Sequence, residues 1–177
     1  ASGATPALIL FLIDIGYHMK KKVRNVLATD LVYNAFKATL RQMYYRSAKG
    51  GYVVPRYHVG CYTYGATVKD IFEGVRSINE ILTKTELAPF VPLNESGNTY
   101  AAFTYIERGL NKHIHEYKEC CPAPLIYHIT GGEYPGRNAE LVAQRIRSMS
   151  VLDGHVLIEN VLIDDEAVLL QTNSIEL

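Results

Sequence analysis

The sequence predicts an α/β domain with a doubly wound, mostly parallel central sheet flanked by helices. A short apolar run without alternation, Ala7–Ile13, and a second buried-strand candidate, Leu125–Thr130 after Pro124, suit the centre of such a sheet. Strand-like and helix-like segments alternate along the chain, which implies βαβ units. The length of 177 residues suits one domain with a sizeable core, and no repeat or linker divides it.

The first strand is Ala7–Ile13. A helix follows over Val23–Tyr45, where Val23, Val26, Leu27, Leu31, Ala35, Ala38 and Met43 recur at near-helical spacing. Gly50-Gly51 ends it. Tyr57–Tyr64 is rich in aromatic residues and reads as a strand. Val68–Phe72 is its short antiparallel partner, after a turn at Gly65-Ala66. Ser77–Leu82 reads as a helix, and Pro89 and Pro92 mark an irregular loop reaching Gly97. Tyr100–Tyr117 is helical, with Phe103, Ile106, Leu110 and Ile114 along one side. Leu125–Thr130 is the second buried strand, and Gly131–Gly136 a turn-rich loop. Asn138–Met149 forms an amphipathic helix through Leu141, Val142, Ile146 and Met149. Val156–Ile163 is a further strand. The segment from Asp164 onward has strand character over Glu166–Leu177 but no closing helix. The reading is therefore one domain over residues 1–177, truncated or irregular after about residue 164.

Bulk composition removes several function classes. Lysine plus arginine equals aspartate plus glutamate, 18 each, so net charge argues for neither nucleic acid nor an anionic membrane. Cys61, Cys120 and Cys121 form neither a disulfide framework nor a zinc-type pair. They read as reduced thiols of a cytoplasmic protein. The run Ala7–Ile13 is too short to span a bilayer and lacks the flanks of a signal peptide. There is no P-loop, no Gly-x-Gly-x-x-Gly turn and no Gly-x-Ser-x-Gly elbow.

Ligands of doubly wound sheets bind outside the carboxyl ends of the strands, where the strand order reverses. Three loops should meet there: Asp14-Ile-Gly-Tyr-His-Met19, Ser96-Gly-Asn-Thr-Tyr100 and Ile129-Thr-Gly-Gly-Glu133. Together they resemble the metal-ion adhesion site of von Willebrand factor A domains. That site has Asp-x-Ser-x-Ser in its first loop, a threonine in its second and an aspartate in its third. Asp14 keeps the first aspartate, Gly16 and His18 stand in place of the serines, and Met19 also fits. Thr99, in Gly97-Asn98-Thr99, keeps the threonine, while Gly131 replaces the last aspartate. The resemblance covers roughly residues 7 to 164 and implies a Rossmann-like fold of the von Willebrand factor A type. The stretches PALILFLIDI and CCPAPLIYHIT are similar to bacterial intracellular members of that family, which again implies a cytoplasmic protein.

The substitutions change what such a site can hold. Magnesium prefers six hard oxygen ligands at about 2.1 Å. Gly16 and Gly131 offer no side-chain oxygen, and His18 offers a nitrogen better suited to zinc, copper or nickel. The expectation is that no cofactor binds and that Asp14 accepts hydrogen bonds from loop amides and Thr99. The alternative is a magnesium or other divalent cation held by Asp14, His18 and Thr99. Glu133 lies two residues too late to replace the lost aspartate.

Thirteen tyrosines accompany no tryptophan. Tyr17, Tyr100 and Tyr134 adjoin the three loops and, with Asn98 and Glu133, would form a rim suited to protein contact. The expected function is therefore a non-catalytic protein–protein interaction module, with another protein as partner and neither nucleic acid nor membrane. Lys20–Lys22 and Arg24 form a basic cluster at the start of the first helix, where cations oppose the macrodipole. It reads as a solvated face or as a contact for an acidic partner. An enzyme using His18 and Asp14 as an acid/base pair is the remaining alternative, without an identifiable nucleophile.

Overall fold

The computed structural model describes residues 2–84, 86–117, 121–132, 138–164 and 168–171. In chain order, β1 is Ala7–Asp14, and a 3-10 turn over Tyr17–Lys20 leads to β2 (Lys22–Val23) and β3 (Val26–Leu27). Helix α1 is Ala28–Ser47, followed by β4 (Ala48–Lys49), β5 (Tyr52–Val53), β6 (Tyr57–Tyr64), β7 (Val68–Asp70) and β8 (Arg76–Ser77). Helices α2 (Ile78–Lys84) and α3 (Thr99–Tyr117) precede β9 (Leu125–Thr130) and α4 (Asn138–Ser148). The remaining strands are β10 (Ser150–Val151), β11 (Gly154–His155), β12 (Leu157–Ile163) and β13 (Val168–Gln171).

Among the described residues the main sheet has seven strands, in the order β13-β12-β9-β1-β6-β7, with β8 also on β6. Strands β6, β1, β9 and β12 are mutually parallel, while β7, β8 and β13 are antiparallel. This is a mixed α/β architecture with a mostly parallel central sheet, compatible with a Rossmann-like fold. The chain first extends the sheet to one side of β1 and then crosses to the other side at β9. The order therefore reverses between β1 and β9, and a crevice opens beyond Asp14 and Thr130.

Strand alternation divides the core in two. Leu8, Leu10, Leu12, Tyr62, Tyr64 and Ile126 face α3 and α4. Ile9, Phe11, Ile13, Val59 and Cys61 face α1 and α2. The β1 sequence is apolar from Ala7 to Ile13 because helices cover both of its sides. Helix α1 buries Ala28, Val32, Phe36, Leu40 and Met43, a stripe at three- and four-residue steps. Helix α3 buries Ala102, Phe103, Ile106, Leu110 and Ile114 in the same manner.

Some elements differ from the sequence expectations. Helix α1 begins at Ala28, not Val23, because Arg24 and Asn25 take φ of 49° and 66°. Two consecutive left-handed residues close a β2–β3 hairpin instead of continuing a helix. Lys20–Lys22 thus precede the helix, and the expected macrodipole penalty does not arise. Gly50 and Gly51, at φ of 57° and 86°, turn the β4–β5 hairpin, and the helix has already ended at Ser47. Leu141 is exposed, and α4 packs through Ala139, Val142 and Ile146. A strand does form after Asp164, as β13 antiparallel to β12. The rest of 165–177 lies outside the described residues. No helix among the described residues is long and apolar enough to cross a membrane.

Candidate functional site

Asp14 is the last residue of β1, at the floor of the crevice, and is 4% exposed. Its Oδ1 accepts the Gly16 amide at 2.7 Å. Its Oδ2 accepts the Thr130 hydroxyl, from the end of β9, at 3.0 Å. The carboxylate thus bonds its own loop with one oxygen and the neighbouring strand with the other. Hydrogen bonds to a buried carboxylate supply the solvation it has lost.

The segment before α3 runs across the first loop and is tied to it through backbone. Leu93 N–H donates to Ile15 O at 2.7 Å, and Tyr17 N–H donates to Glu95 O at 2.8 Å. Asn98 N–H donates to Gly65 O at 2.8 Å, and Ala66 N–H to Glu95 Oε1 at 3.0 Å. The Lys20 ammonium donates to the side-chain oxygen of Asn94. On the other side, the Lys21 ammonium donates to Gly131 O at 2.6 Å and lies 3.7 Å from an Asp164 oxygen. Two of the three basic residues in Lys20–Lys22 therefore hold loops together.

Glycine lines the crevice because the loops approach closely. A Cβ on Gly16 would lie 2.6 Å from the Gly97 nitrogen and 3.0 Å from Asp14 Oδ1. A Cβ on Gly97 would lie 2.7 Å from Asp14 Oδ1. One on Gly131 would meet the Met19 sulfur at 2.7 Å, and Met19 is fully buried.

Beneath Asp14, on the α3–α4 side, a chain of polar side chains crosses the sheet. Tyr64 O–H lies 2.8 Å from His128 Nε2, and His128 Nδ1 lies 3.0 Å from Asn160 Oδ1. The Asn160 oxygen accepts, so Nδ1 carries the proton and Nε2 accepts from Tyr64. Burial pushes the His128 pKa down against smaller opposing effects of Asn160 and Asp14, so the ring is held neutral. Phe103 of α3 packs edge-on against it, and none of the ring reaches solvent.

The three loops do meet at the crevice, but the predicted site residues take different parts. Asp14 is central. Thr99 is buried as the first residue of α3, yet the hydroxyl bound to Asp14 is that of Thr130. His18 makes no hydrogen bond to Asp14; its ring lies against Tyr17, centroids 3.8 Å apart. Tyr17 and Tyr100 are exposed by 47% and 46%, which leaves both free for contact from solvent. Asn98 caps α3, its Oδ1 accepting the Ala101 amide at 3.0 Å. Glu133 and Tyr134 lie outside the described residues. Sequence reasoning missed Thr130, although its place two residues beyond His128 puts both on one strand face. It also missed Lys21 as a tether, Gly97 as a close approach, and Tyr64 and Asn160 as partners of His128.

A magnesium ion does not fit these residues. Gly16 and Gly131 carry no side-chain oxygen, the His18 ring lies against Tyr17, and the Asn98 and Glu95 side-chain oxygens accept the Ala101 and Ala66 amides, which leaves Asp14, Thr99 and Thr130 as the hard-oxygen side chains at the crevice. That set is small for an ion that takes six oxygen ligands in near-octahedral geometry. Among the described residues, no three His, Cys, Asp or Glu side chains gather as metal ligands. Away from the crevice, an apolar groove lined by Leu8, Leu10, Tyr62, Val75, Tyr105 and Ile106 opens between α3 and the sheet.

This geometry has distant counterparts among solved structures. The PilB minor pilin from Streptococcus sanguinis is similar, with a TM-score of 0.55 and 13% identity. The match covers 72% of this chain and 30% of the pilin, so the chain spans under a third of that protein's length. Its D319A mutant matches over the same shares at a TM-score of 0.51 and 14% identity. A conserved hypothetical protein BatB from Bacteroides thetaiotaomicron matches at 0.52 and 12%, over 93% of this chain and 75% of BatB. Identities this low show a shared fold alone. No family model matches the sequence, and no curated protein does.

Proposed function

We propose that this chain is a non-catalytic protein–protein interaction module of the von Willebrand factor A type. It presents the loops at the carboxyl edge of its sheet to a partner protein, with little or no dependence on metal. The family assignment rests on the order of the Asp14, Thr99 and Gly131 loops around one crevice. The fold likeness to BatB, over 93% of this chain, supports the α/β scaffold on which that assignment rests.

The observation that carries the functional reading is the pair of exposed tyrosines, Tyr17 and Tyr100, set on the rim above a sealed carboxylate. Large amphipathic rings on a fixed backbone lose little entropy on binding and dominate many protein interfaces. Among the described residues, Asp14 bonds Thr130, and Tyr64, His128 and Asn160 bond one another, which supports a binding role over a catalytic one.

The test is capture of a partner by the immobilised protein, identification of that partner, and repetition with Tyr17→Ala and Tyr100→Ala. Each substitution should weaken binding by about tenfold or more, as truncation of an interface tyrosine does. Melting temperature should stay within about 2 °C of the parent, since both rings are half-exposed. Equal affinity for parent and double variant would remove the rim from consideration.

A further inference from the structure

We infer that the crevice above Asp14 is locked shut by the protein's own groups, so that the rim loops hold their shape without a divalent cation. The inference concerns the integrity of the loops and stands independently of any partner.

Two side chains act as the locks. Asp14 joins the first loop to the end of β9 through the Gly16 amide and the Thr130 hydroxyl. Lys21 joins the next stretch of chain to Gly131 and to Asp164 at the end of β12. Between them, the ends of three neighbouring strands are tied to one loop. A bound dication would tie loops in a comparable way, through several oxygens at once. Here one carboxylate and one ammonium share that task, and the ammonium sits on the residue that follows Thr130. Lys21, paired with Asp164, thus stands beside Gly131, where the glycine offers no carboxylate.

The glycines make the arrangement hard to reverse. A serine at 16 would drive its Cβ into the backbone of Gly97, and an aspartate at 131 would press on the buried Met19 sulfur, which must shift to admit it. Backbone on backbone cannot relax by a change of rotamer. The crevice floor at Gly16 and Gly97 is therefore a packed joint between loops.

Thermal melting of the whole chain tests this, in about 5 mM EDTA and again in about 10 mM magnesium or manganese chloride. The parent should melt within about 1 °C in all three. Asp14→Ala leaves an amide and a hydroxyl unpaired and should melt about 3–8 °C lower. Asp14→Asn restores one acceptor and should recover part of that loss. Lys21→Met should melt about 2–4 °C lower, and Gly16→Ser lower still, each by the same amount with and without the cation. A rise of about 5 °C or more for the parent in either cation overturns the inference, since a ligand at 100 times its Kd stabilises on that scale. So does an Asp14→Ala variant that melts with the parent. Neither result bears on whether Tyr17 and Tyr100 bind a partner, so the two readings fail separately.

Discussion

His128 is the residue whose chemistry reaches furthest from its place in the chain. It is wholly buried, donates to Asn160 and accepts from Tyr64, and its folded pKa lies below its ordinary value. The unfolded chain protonates this ring at about pH 6.5, while the folded chain resists. Below that pH the unfolded state binds the extra proton, so folding stability falls as pH drops toward the folded pKa, and it is unaffected by this group above about pH 7. Urea unfolding at pH 7.5 and 5.5 should show a lower free energy at the acid pH, by at most about 1.4 kcal/mol per pH unit from this histidine. His128→Gln should flatten that slope, and an unchanged slope would show that the ring is not buried neutral. Little of this was legible in the sequence. The tyrosine, histidine and asparagine are 64 and 32 positions apart, and only strand register brings them together. Asp14 was legible, because a lone carboxylate at the end of an apolar run has few places to go. Its partner was not: Thr99 and Thr130 both reach the crevice, and backbone geometry chooses between their hydroxyls.

Among the elements, α3 shows how much one rim residue contributes before any partner arrives. Asn98 supplies its N-cap, and the Asn98 carbonyl accepts the Ala102 amide at 3.0 Å. Asn98→Ala should cost about 1 kcal/mol of stability, read as a lower urea midpoint with an unchanged slope. Asn98→Ser should recover most of it, and a silent Asn98→Ala would mean the cap is replaced by water. The long helices were readable because their buried residues fall at three- and four-residue steps over many turns. Short hairpins were not. Val23, Val26 and Leu27 fit a helical period as well as they fit the two sides of a hairpin. Arg24 and Asn25 decide the matter with left-handed backbone, which side-chain polarity does not announce. Leu141 misled for a related reason: Ala139, Val142 and Ile146 already fill the α4 face, and a fourth apolar residue falls outside it.

At the scale of the whole molecule, two cores on either side of one sheet account for stability, and the reversal between β1 and β9 accounts for the position of the crevice. Position within this frame should set the cost of a truncation. Ile126→Ala, at a fully buried site in β9, should destabilise by about 2–5 kcal/mol. Leu152→Ala, at the exposed β10–β11 turn, should stay within about 0.5 kcal/mol. Equal effects in denaturant titrations would contradict the layered core. The central strand β1 was legible because its run from Ala7 to Ile13 is apolar without alternation, as a strand covered on both faces can be. The antiparallel edge at β13 was less so, since direction depends on the length of a connection and not on which residues the strand contains.

The close approach of Gly16, Gly97 and Gly131 has a bearing on how any mutational survey of this surface would read. Substitutions at those positions would abolish partner capture as thoroughly as loss of Tyr17 or Tyr100, and a screen scored on binding alone would map them as contacts. They would belong instead to the joinery beneath the contact surface. Scoring abundance alongside binding would separate the two groups: glycine variants lose both, and tyrosine variants lose only one.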